Sequence, residues 1–203
     1  MRLWAIVPVK DFDAAKSRLG PTLDSEKRAD FAKRLFDHVT AQLAQHPEVE
    51  RVLIVSNSEA VRSHAVGRGC LTLEDPAAGS TLAEVVDSAL GYAAAHGASH
   101  GLVLMGDLPR LSQRSLSLLT GALAEHPQVI APDQHGVATN ALGLRLPAPA
   151  GTAFGSGKSL ELHRQRFPAA LLIEDAELAF DVDDPQDFAA LPPPLSEPVA
   201  SEA

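Results

Sequence analysis

The chain has 203 residues, of which 45% are hydrophobic, and this predicts one domain with a core of ordinary size. With 17 Lys and Arg against 26 Asp and Glu, the formal net charge is -9, which argues against nucleic acid or an anionic membrane as a partner, because basic side chains bind both. The single cysteine, Cys70, excludes an internal disulfide and a cysteine-built zinc site. Without a signal-peptide pattern or an apolar run of ~20 residues, we expect a cytoplasmic protein.

Buried strands and amphipathic helices alternate along the first two thirds of the chain, which is typical of parallel βαβ units. The predicted strands are Leu3–Val9, Arg51–Val55, Cys70–Leu73, Leu102–Met105, Val129–Pro132, Ala141–Leu146, Ala170–Ile173 and Leu178–Val182. The predicted helices span Asp24 or Ser25 to Gln45, Glu59 to Val66, Leu82 to near Gly97, Ser112 to Glu125 and Ser159 to Arg166, with a last one capped by Asp184.

These elements indicate an α/β fold with a single, mostly parallel mixed sheet flanked by helices. Residues 1–191 would form the domain. Residues 192–203 contain three consecutive prolines and few large apolar side chains, so we expect a disordered tail.

One carboxylate follows an apolar run that is predicted to be a buried strand. Asp107 follows the run Leu102–Met105 and is bracketed by Gly106 and Pro109, so the buried strand must stop there. Open α/β sheets bind ligands at the carboxyl ends of their strands. Asp107 is therefore the first candidate site residue.

The loop after the first strand carries three cations, Lys10, Lys16 and Arg18. They can converge on a polyphosphate at the same sheet edge as Asp107. The alternative is a solvated loop in which the lysines pair with Asp11 and Asp13.

Further along, Gly79 allows the backbone to approach a ligand, and the following helix start could offer amides to an anion or a base edge. Thr81 and Glu84 also form a capping-box pattern, so Thr81 could merely cap its helix.

A second acidic run, Asp181 to Asp184, lies far along the chain. Asp107 and Asp181 could share one hard cation such as Mg²⁺, which binds one or two carboxylates together with substrate phosphates. Alternatively, Asp181 and Asp183 are turn carboxylates, and for Asp183 neither role is favoured.

Two glycine-rich and hydroxyl-rich segments, Gln134–Asn140 and Phe154–His163, describe an anion pocket for a second, smaller substrate. The ending Gly157-Lys158-Ser159 resembles a Walker loop, but Thr152 stands where its first glycine belongs and no buried strand precedes it. We expect a structural or solvent-facing role for His163 rather than catalysis. No nucleophile setting is recognisable.

Together, VPVKDFDAAKSRL, GDLP, the Thr139-Asn140 turn, the FG…S…H segment and DVDDPQDF resemble the 2-phospholactate guanylyltransferases of coenzyme F420 biosynthesis, including members that use phosphoenolpyruvate or 3-phosphoglycerate. The resemblance spans residues 3 to about 191. It implies a Rossmann-like, glycosyltransferase-A-like nucleotidyltransferase fold with Mg²⁺ as cofactor, and GTP and a small phosphorylated acid as partners, in a monomer or homodimer.

The resemblance also implies roles for individual residues. The nucleotide would be bound by Pro8, Lys10, Lys16, Arg18, Gly79, Ser80, Thr81 and Asp107, of which Lys10, Lys16, Arg18 and Asp107 would be catalytic. The acceptor would be bound by Thr139, Asn140, Gly155, Ser156 and Ser159, and the metal by Asp107 and Asp181.

The expected reaction is attack by the acceptor phosphate on the α-phosphorus of GTP, with release of pyrophosphate. Alternatives are a molybdopterin or sugar-phosphate nucleotidyltransferase, which would differ in the acceptor pocket, and a non-catalytic nucleotide-binding module. A glycosyltransferase would show Asp-x-Asp where this chain has Asp107-Leu108-Pro109.

Overall fold

The computed structural model describes residues 1–75 and 79–191, so the tail predicted for residues 192–203 lies outside the described residues. The strands are β1 (Leu3–Pro8), β2 (Val49–Val55), β3 (Leu71–Leu73), β4 (His100–Leu104), β5 (Gln128–Pro132), β6 (Thr139–Arg145) and β7 (Leu171–Leu172). The helices are α1 (Ser25–Gln45), α2 (Glu59–Gly67), α3 (Leu82–Ala95), α4 (Gln113–Glu125), α5 (Ser159–Arg166), α6 (Ala176–Ala179) and α7 (Pro185–Ala189), with a 3-10 turn at Ser17–Leu19.

The seven strands form one sheet in the order β3-β2-β1-β4-β6-β5-β7. Strands β3, β2, β1 and β4 are parallel, whereas β6 runs antiparallel to both β4 and β5. The predicted mostly parallel mixed sheet is therefore confirmed. Four parallel strands in a row bring the loops after β1, β2, β3 and β4 to one edge.

Side-chain caps fix where the α-helices begin, with the exception of α5. Asp24 accepts a hydrogen bond from the backbone N–H of Lys27 at the start of α1. Thr81 and Glu84 form the predicted capping box of α3. Each such cap contributes about 1 kcal/mol, and these residue types at these positions explain why the helix starts were predictable.

The sheet is covered on both faces by hydrophobic side chains. One core packs α1, α2 and α4 against the sheet, and the other packs α3 and α5. Gly101 of β4 allows α3 to approach closely, since a Cβ there would lie 2.5 Å from Leu90 Cδ2. Cys70 is buried and free, in agreement with a structural role.

The predicted strand Leu178–Val182 is wrong. Residues Ala176–Ala179 form the short helix α6, because the Asp175 carboxylate accepts hydrogen bonds from the backbone N–H groups of Glu177 and Leu178. Beyond it the chain is extended without sheet pairing, and alternation of buried and more exposed side chains persists there, which explains why the sequence pattern suggested a strand.

This extended segment is held by a small third core. Phe180, Val182 and Leu191 pack with Leu19 after the first loop and with Phe31 and Leu35 of α1. Asp181 and Asp183 occupy the intervening positions and are not part of this cluster. The cluster thereby attaches the acidic segment to the loop that follows β1.

No helix in residues 1–75 and 79–191 combines the length and apolarity needed to span a membrane.

Candidate active site

A cavity of about 470 Å³ opens at the carboxyl ends of the parallel strands. Its size falls in the range of small-ligand pockets. The predicted nucleotide residues that line it are Pro8, Lys10, Lys16, Arg18, Ser80 and Asp107. The loops after β1 and β4 therefore meet as expected, over an apolar floor that includes Phe12 and Phe36.

Lys16 is the most enclosed of the three cations, with a side chain that is 9% exposed. Its Nζ donates to Asp107 Oδ2 and to the backbone carbonyl of Val182, both at 2.6 Å, and lies 3.8 Å from Asp183 Oδ1. This one ammonium joins the loops after β1 and β4 to the acidic segment. Lys16 also has φ 53° and ψ 36°, a left-handed conformation that is unfavourable for a residue with a Cβ.

Arg18 and Lys10 are more accessible. Arg18 Nη1 lies 3.2 Å from Asp183 Oδ2, with 74% of its side chain exposed, and Lys10 is exposed at the cavity wall. The Asp11 carboxylate instead accepts the backbone N–H of Asp13 at 2.9 Å. For Lys16 and Arg18, pairing is thus with the distant acidic segment and Asp107, not with the neighbouring carboxylates of the loop.

Asp107 and Asp183 lie beside Lys16, and Asp181 is near enough to both carboxylates to be affected by their charges, although it does not line the cavity. Burial, followed by the negative charges of Asp107 and Asp183, raises the pKa of Asp181 to about 6. The Asn140 side-chain amide is 3.5 Å from Asp181 Oδ1 and donates to the carbonyls of Leu178 and Ala179 at 3.1 Å. Asn140, which was predicted to bind the acceptor, therefore positions the chain just before Asp181.

The carboxylates supply only oxygen donors, the type that Mg²⁺ prefers. Within the described ranges, no three or more His, Cys, Asp or Glu side chains are arranged to hold a metal ion on their own. Two carboxylates with substrate phosphates and water are the usual way in which proteins hold Mg²⁺. Burial raises the pKa of Asp181 most, and the negative charges of Asp107 and Asp183 add to the effect. A cation would compensate such a group of carboxylates, so the residues present are compatible with the predicted site.

Thr139, Ser159 and His163 form a buried hydrogen-bonded group between β6 and α5. Ser159 Oγ accepts from the backbone N–H of Thr139 at 3.0 Å. His163 Nε2 accepts the backbone N–H of Ala153 at 2.8 Å, so the ring proton is on Nδ1, which is 2.9 Å from Thr139 Oγ1. His163 is fully buried, and burial followed by the charge of Arg166 lowers its pKa to about 4. The ring is therefore neutral at pH 7 and donates to Thr139.

The loop that carries Gly155 and Ser156 is exposed and touches the first turn of α3. Gly155 has φ +77°, and a Cβ at this position would be 3.1 Å from Leu82 Cβ. Leu82 also lines the main cavity. The candidate acceptor loop is thus next to the cavity wall, whereas Thr139, Asn140, Gly155, Ser156 and Ser159 are not among the residues that line the cavity itself.

Different residues of the loop before α3 have different positions and contacts. Thr81 caps α3, its Oγ1 accepting the Glu84 N–H at 3.3 Å, while Ser80 lines the cavity. Gly79 has φ +90°, a conformation that favours glycine. The capping interpretation is therefore confirmed for Thr81, and the ligand-binding interpretation of this loop stays a prediction.

Asp75 is a cavity residue that the sequence did not single out. Asp75 and the adjacent Glu74 form no recognisable motif in this small polar loop, and only the position of Asp75 two residues past β3, at the same sheet edge, could have drawn attention to it. The Val182 carbonyl that accepts from Lys16 was missed too, because a backbone group has no sequence signature.

The sheet order and the likeness to solved structures define the fold as glycosyltransferase-A-like. A crystal structure from Desulfovibrio desulfuricans G20, provisionally assigned as a nucleotide-diphospho-sugar transferase, superposes with a TM-score of 0.74 at 18% identity, over 91% of this chain and 84% of that one.

The chain belongs to the CofC-like guanylyl transferase family, whose model matches residues 3–191. It is 34% identical to the phosphoenolpyruvate guanylyltransferase of Sphaerobacter thermophilus, over 92% of this chain and 91% of that protein. It is 30% identical to the 2-phospho-L-lactate guanylyltransferase of Methanothermobacter thermautotrophicus, over 93% and 83% respectively.

Proposed function

We propose that this protein transfers GMP from GTP to the phosphate of a small phosphorylated three-carbon acid and releases pyrophosphate, as a step in coenzyme F420 biosynthesis. The candidate acceptors are phosphoenolpyruvate, 2-phospho-L-lactate and 3-phosphoglycerate. The observation that carries this proposal is the meeting of Lys10, Lys16, Arg18 and Asp107 around one cavity in a chain of the guanylyl transferase family.

In this reaction a phosphate oxygen of the acceptor attacks the α-phosphorus of GTP. The new O–P bond forms as the bond from the α-phosphorus to the bridging oxygen of the β-phosphate breaks, and the electron pair leaves on pyrophosphate. The acceptor oxygen is already anionic near neutral pH, so no general base is required, and a protein promotes this kind of transfer by positioning and by charge.

The main barrier is the repulsion between two anions. Lys10 and Arg18, both accessible at the cavity, would bind the triphosphate and neutralise it. Lys16 is positioned between Asp107 and the acidic segment, so it would bind phosphate oxygens and keep the segment that carries Asp181 next to Asp107.

Asp107 and Asp181 would hold Mg²⁺, which supplies further neutralisation of phosphate charge when bound. The acceptor would lie toward the loop of Gly155 and Ser156, with Thr139 and Ser159 behind it. The imidazole of His163 donates to the hydroxyl oxygen of Thr139. The hydroxyl hydrogen of Thr139 would therefore remain available to donate to an oxygen of the acceptor.

Pyrophosphate release from GTP, measured with each of the three acceptors and with none, tests the proposal. We expect release that depends on Mg²⁺ and on one of the acceptors, and a product containing GMP joined to that acceptor by mass spectrometry. The absence of release with every acceptor would contradict the proposed function and favour a nucleotide-binding module.

A further inference from the structure

Asp75 lines the same cavity as Asp107 and the three cations. It follows β3, while Asp107 follows β4, and β2 and β1 lie between them in the sheet. Backbone hydrogen bonds from Val9 N to Val55 O at 2.9 Å and from Ser56 N to Leu73 O at 3.1 Å continue the sheet to this edge. With strands about 4.8 Å apart, β3 and β4 are separated by roughly 14 Å.

The Asp75 carboxylate has unused hydrogen-bonding capacity. Its Oδ1 is buried and has no hydrogen-bond partner in residues 1–75 and 79–191. The neighbouring Arg62 is engaged elsewhere, since its Nη1 donates to the Ser56 carbonyl at 2.8 Å and its Nη2 is 3.9 Å from Glu74. Burial raises the pKa of Asp75. A buried carboxylate oxygen without a donor is costly, and a ligand that brings donors would remove that cost.

A nucleotide whose phosphates are held near Lys16 and Asp107 would extend its base along this edge toward β3. Guanine presents two adjacent donors, N1–H and the N2 amine, whereas adenine has an unprotonated N1 at the corresponding edge and no amine at C2. A carboxylate accepts only, and its two oxygens match two parallel donors. Asp75 thus has the chemistry to select guanine.

We propose that Asp75 is the specificity-determining residue for the nucleotide, accepting hydrogen bonds from guanine N1–H and from its exocyclic N2 amine. This inference rests on the proposed function in that it takes GTP as the donor substrate. The inference identifies the residue that selects the base, and this residue lies outside the loop that binds the phosphates.

Nucleotide analogues test the contact directly. ITP lacks the N2 amine, and XTP carries a carbonyl oxygen in its place. In the wild-type protein we expect kcat/KM for GTP to exceed that for ITP by about 10-fold or more, because a bidentate pair contributes about 1–3 kcal/mol of discrimination. In Asp75→Asn, kcat/KM for GTP should fall by a similar factor, and use of XTP should rise above the wild-type level, since the amide N–H can donate to the new carbonyl. Asp75→Ala should lose GTP activity with no gain for XTP.

Glu74→Gln is the matched control, because Glu74 is adjacent and exposed and does not line the cavity. This variant should keep the wild-type GTP to ITP ratio. An unchanged GTP to ITP ratio in Asp75→Asn, with normal thermal unfolding, would overturn the inference while leaving the proposed function intact.

Calorimetric measurement of GTP, ITP and XTP binding to the wild-type protein and to Asp75→Asn distinguishes a failure of the Asp75 contact from a failure of the proposed function. If the wild-type protein binds GTP but releases no pyrophosphate with any acceptor, the proposed function fails, and a loss of preference for GTP over ITP in the variant still supports the contact. If the wild-type protein binds GTP and ITP equally, the assignment of Asp75 is wrong.

Discussion

The ammonium of Lys16 and the carboxylate of Asp107 are 2.6 Å apart, although the two residues are separated by 91 positions in the sequence. The same ammonium also bonds to the Val182 carbonyl, so it connects three segments that approach the cavity from different parts of the chain. Because this ammonium is fixed and little exposed to water, its positive charge can neutralise phosphate without strong screening by solvent. It also offsets part of the repulsion between Asp107 and Asp183.

Replacing Lys16 by methionine should lower kcat/KM about 100-fold or more, because loss of one preorganised donor to a transition-state charge commonly costs 10²–10³ in rate. Steady-state pyrophosphate release measures this. Lys33→Met is a suitable control, since Lys33 is exposed on α1 and away from the cavity. A Lys16→Met variant with wild-type kcat/KM would contradict the role given to this side chain.

Asp107→Asn should reduce turnover by orders of magnitude while thermal unfolding remains close to wild type, because the side chain is 29% exposed and contributes little to the core. The amide retains the shape but removes the charge that would hold Mg²⁺. A Mg²⁺ titration of activity should also require higher concentrations in the variant. Asp30→Asn, which changes a partly exposed ion pair on α1, should change neither property. Near-wild-type turnover in Asp107→Asn would exclude the metal role.

Because residue 16 has a left-handed backbone, substitutions of Lys16 can change the stability of the fold and the activity independently. Glycine accepts this conformation without the Cβ penalty, so Lys16→Gly should unfold at higher denaturant than Lys16→Ala, with a difference of about 1 kcal/mol. Both variants should be nearly inactive, because both lack the ammonium. Equal stability of the two would show that residue 16 does not adopt this conformation in solution.

Gly155 can be tested against Gly157, because both have positive φ, 77° and 75°, but only Gly155 faces a neighbour. Alanine at 157 adds backbone strain alone, of about 1–2 kcal/mol. Alanine at 155 adds the same strain and a contact of 3.1 Å with Leu82. We expect Gly155→Ala to be the less stable variant and to raise KM for the acceptor more than KM for GTP. An equal change in both KM values would place this loop outside the acceptor pocket.

The buried His163 predicts a dependence of stability on pH. Its pKa is lowered to about 4 in the folded protein, while the unfolded chain binds a proton near 6.5, so between these values the unfolded state holds more protons. The free energy of unfolding therefore falls as the pH is lowered from 6.5 to 4, by up to about 3 kcal/mol from this residue. Denaturant unfolding of the wild-type protein and His163→Gln across this range should show a shallower decline in the variant.

An exposed histidine provides the comparison for that experiment. His135→Gln, in the loop before β6, should retain the wild-type slope. If the free energy of unfolding of His163→Gln falls with decreasing pH as steeply as that of the wild type, groups other than His163 account for the destabilisation in acid.

Much of the fold could be predicted because its signals are local. The caps Asp24, Thr81 and Asp184 use side chains within three residues, and the carboxylate after β4 follows directly from where an apolar run stops. The segment Leu178–Val182 was wrongly predicted as a strand. Apolar and acidic residues alternate in the same way in an extended segment that pairs with a sheet and in one that packs on a helix, as Phe180 and Val182 do here.

The site was less predictable where it depends on distant partners. The three cations and Asp107 were correctly expected at one edge, but no pattern shows that Lys16 faces Asp107 or that Asp75 joins the same cavity. Thr139 and Ser159 were predicted as acceptor ligands from resemblance, and the hydrogen bonds that bind them to each other and to His163 became visible only in three dimensions. Whether they also contact the acceptor stays a prediction.

The small core of Leu19, Phe180, Val182 and Leu191 joins the loop after β1 to the acidic segment, and Lys16 bonds to a carbonyl 166 positions further along. During synthesis, the loop after β1 leaves the ribosome long before its partner segment exists. The cavity can therefore be completed only after residues 180–191 have been synthesised, and a nascent or truncated chain that lacks them cannot form the contacts of Lys16 with the Val182 carbonyl and Asp183.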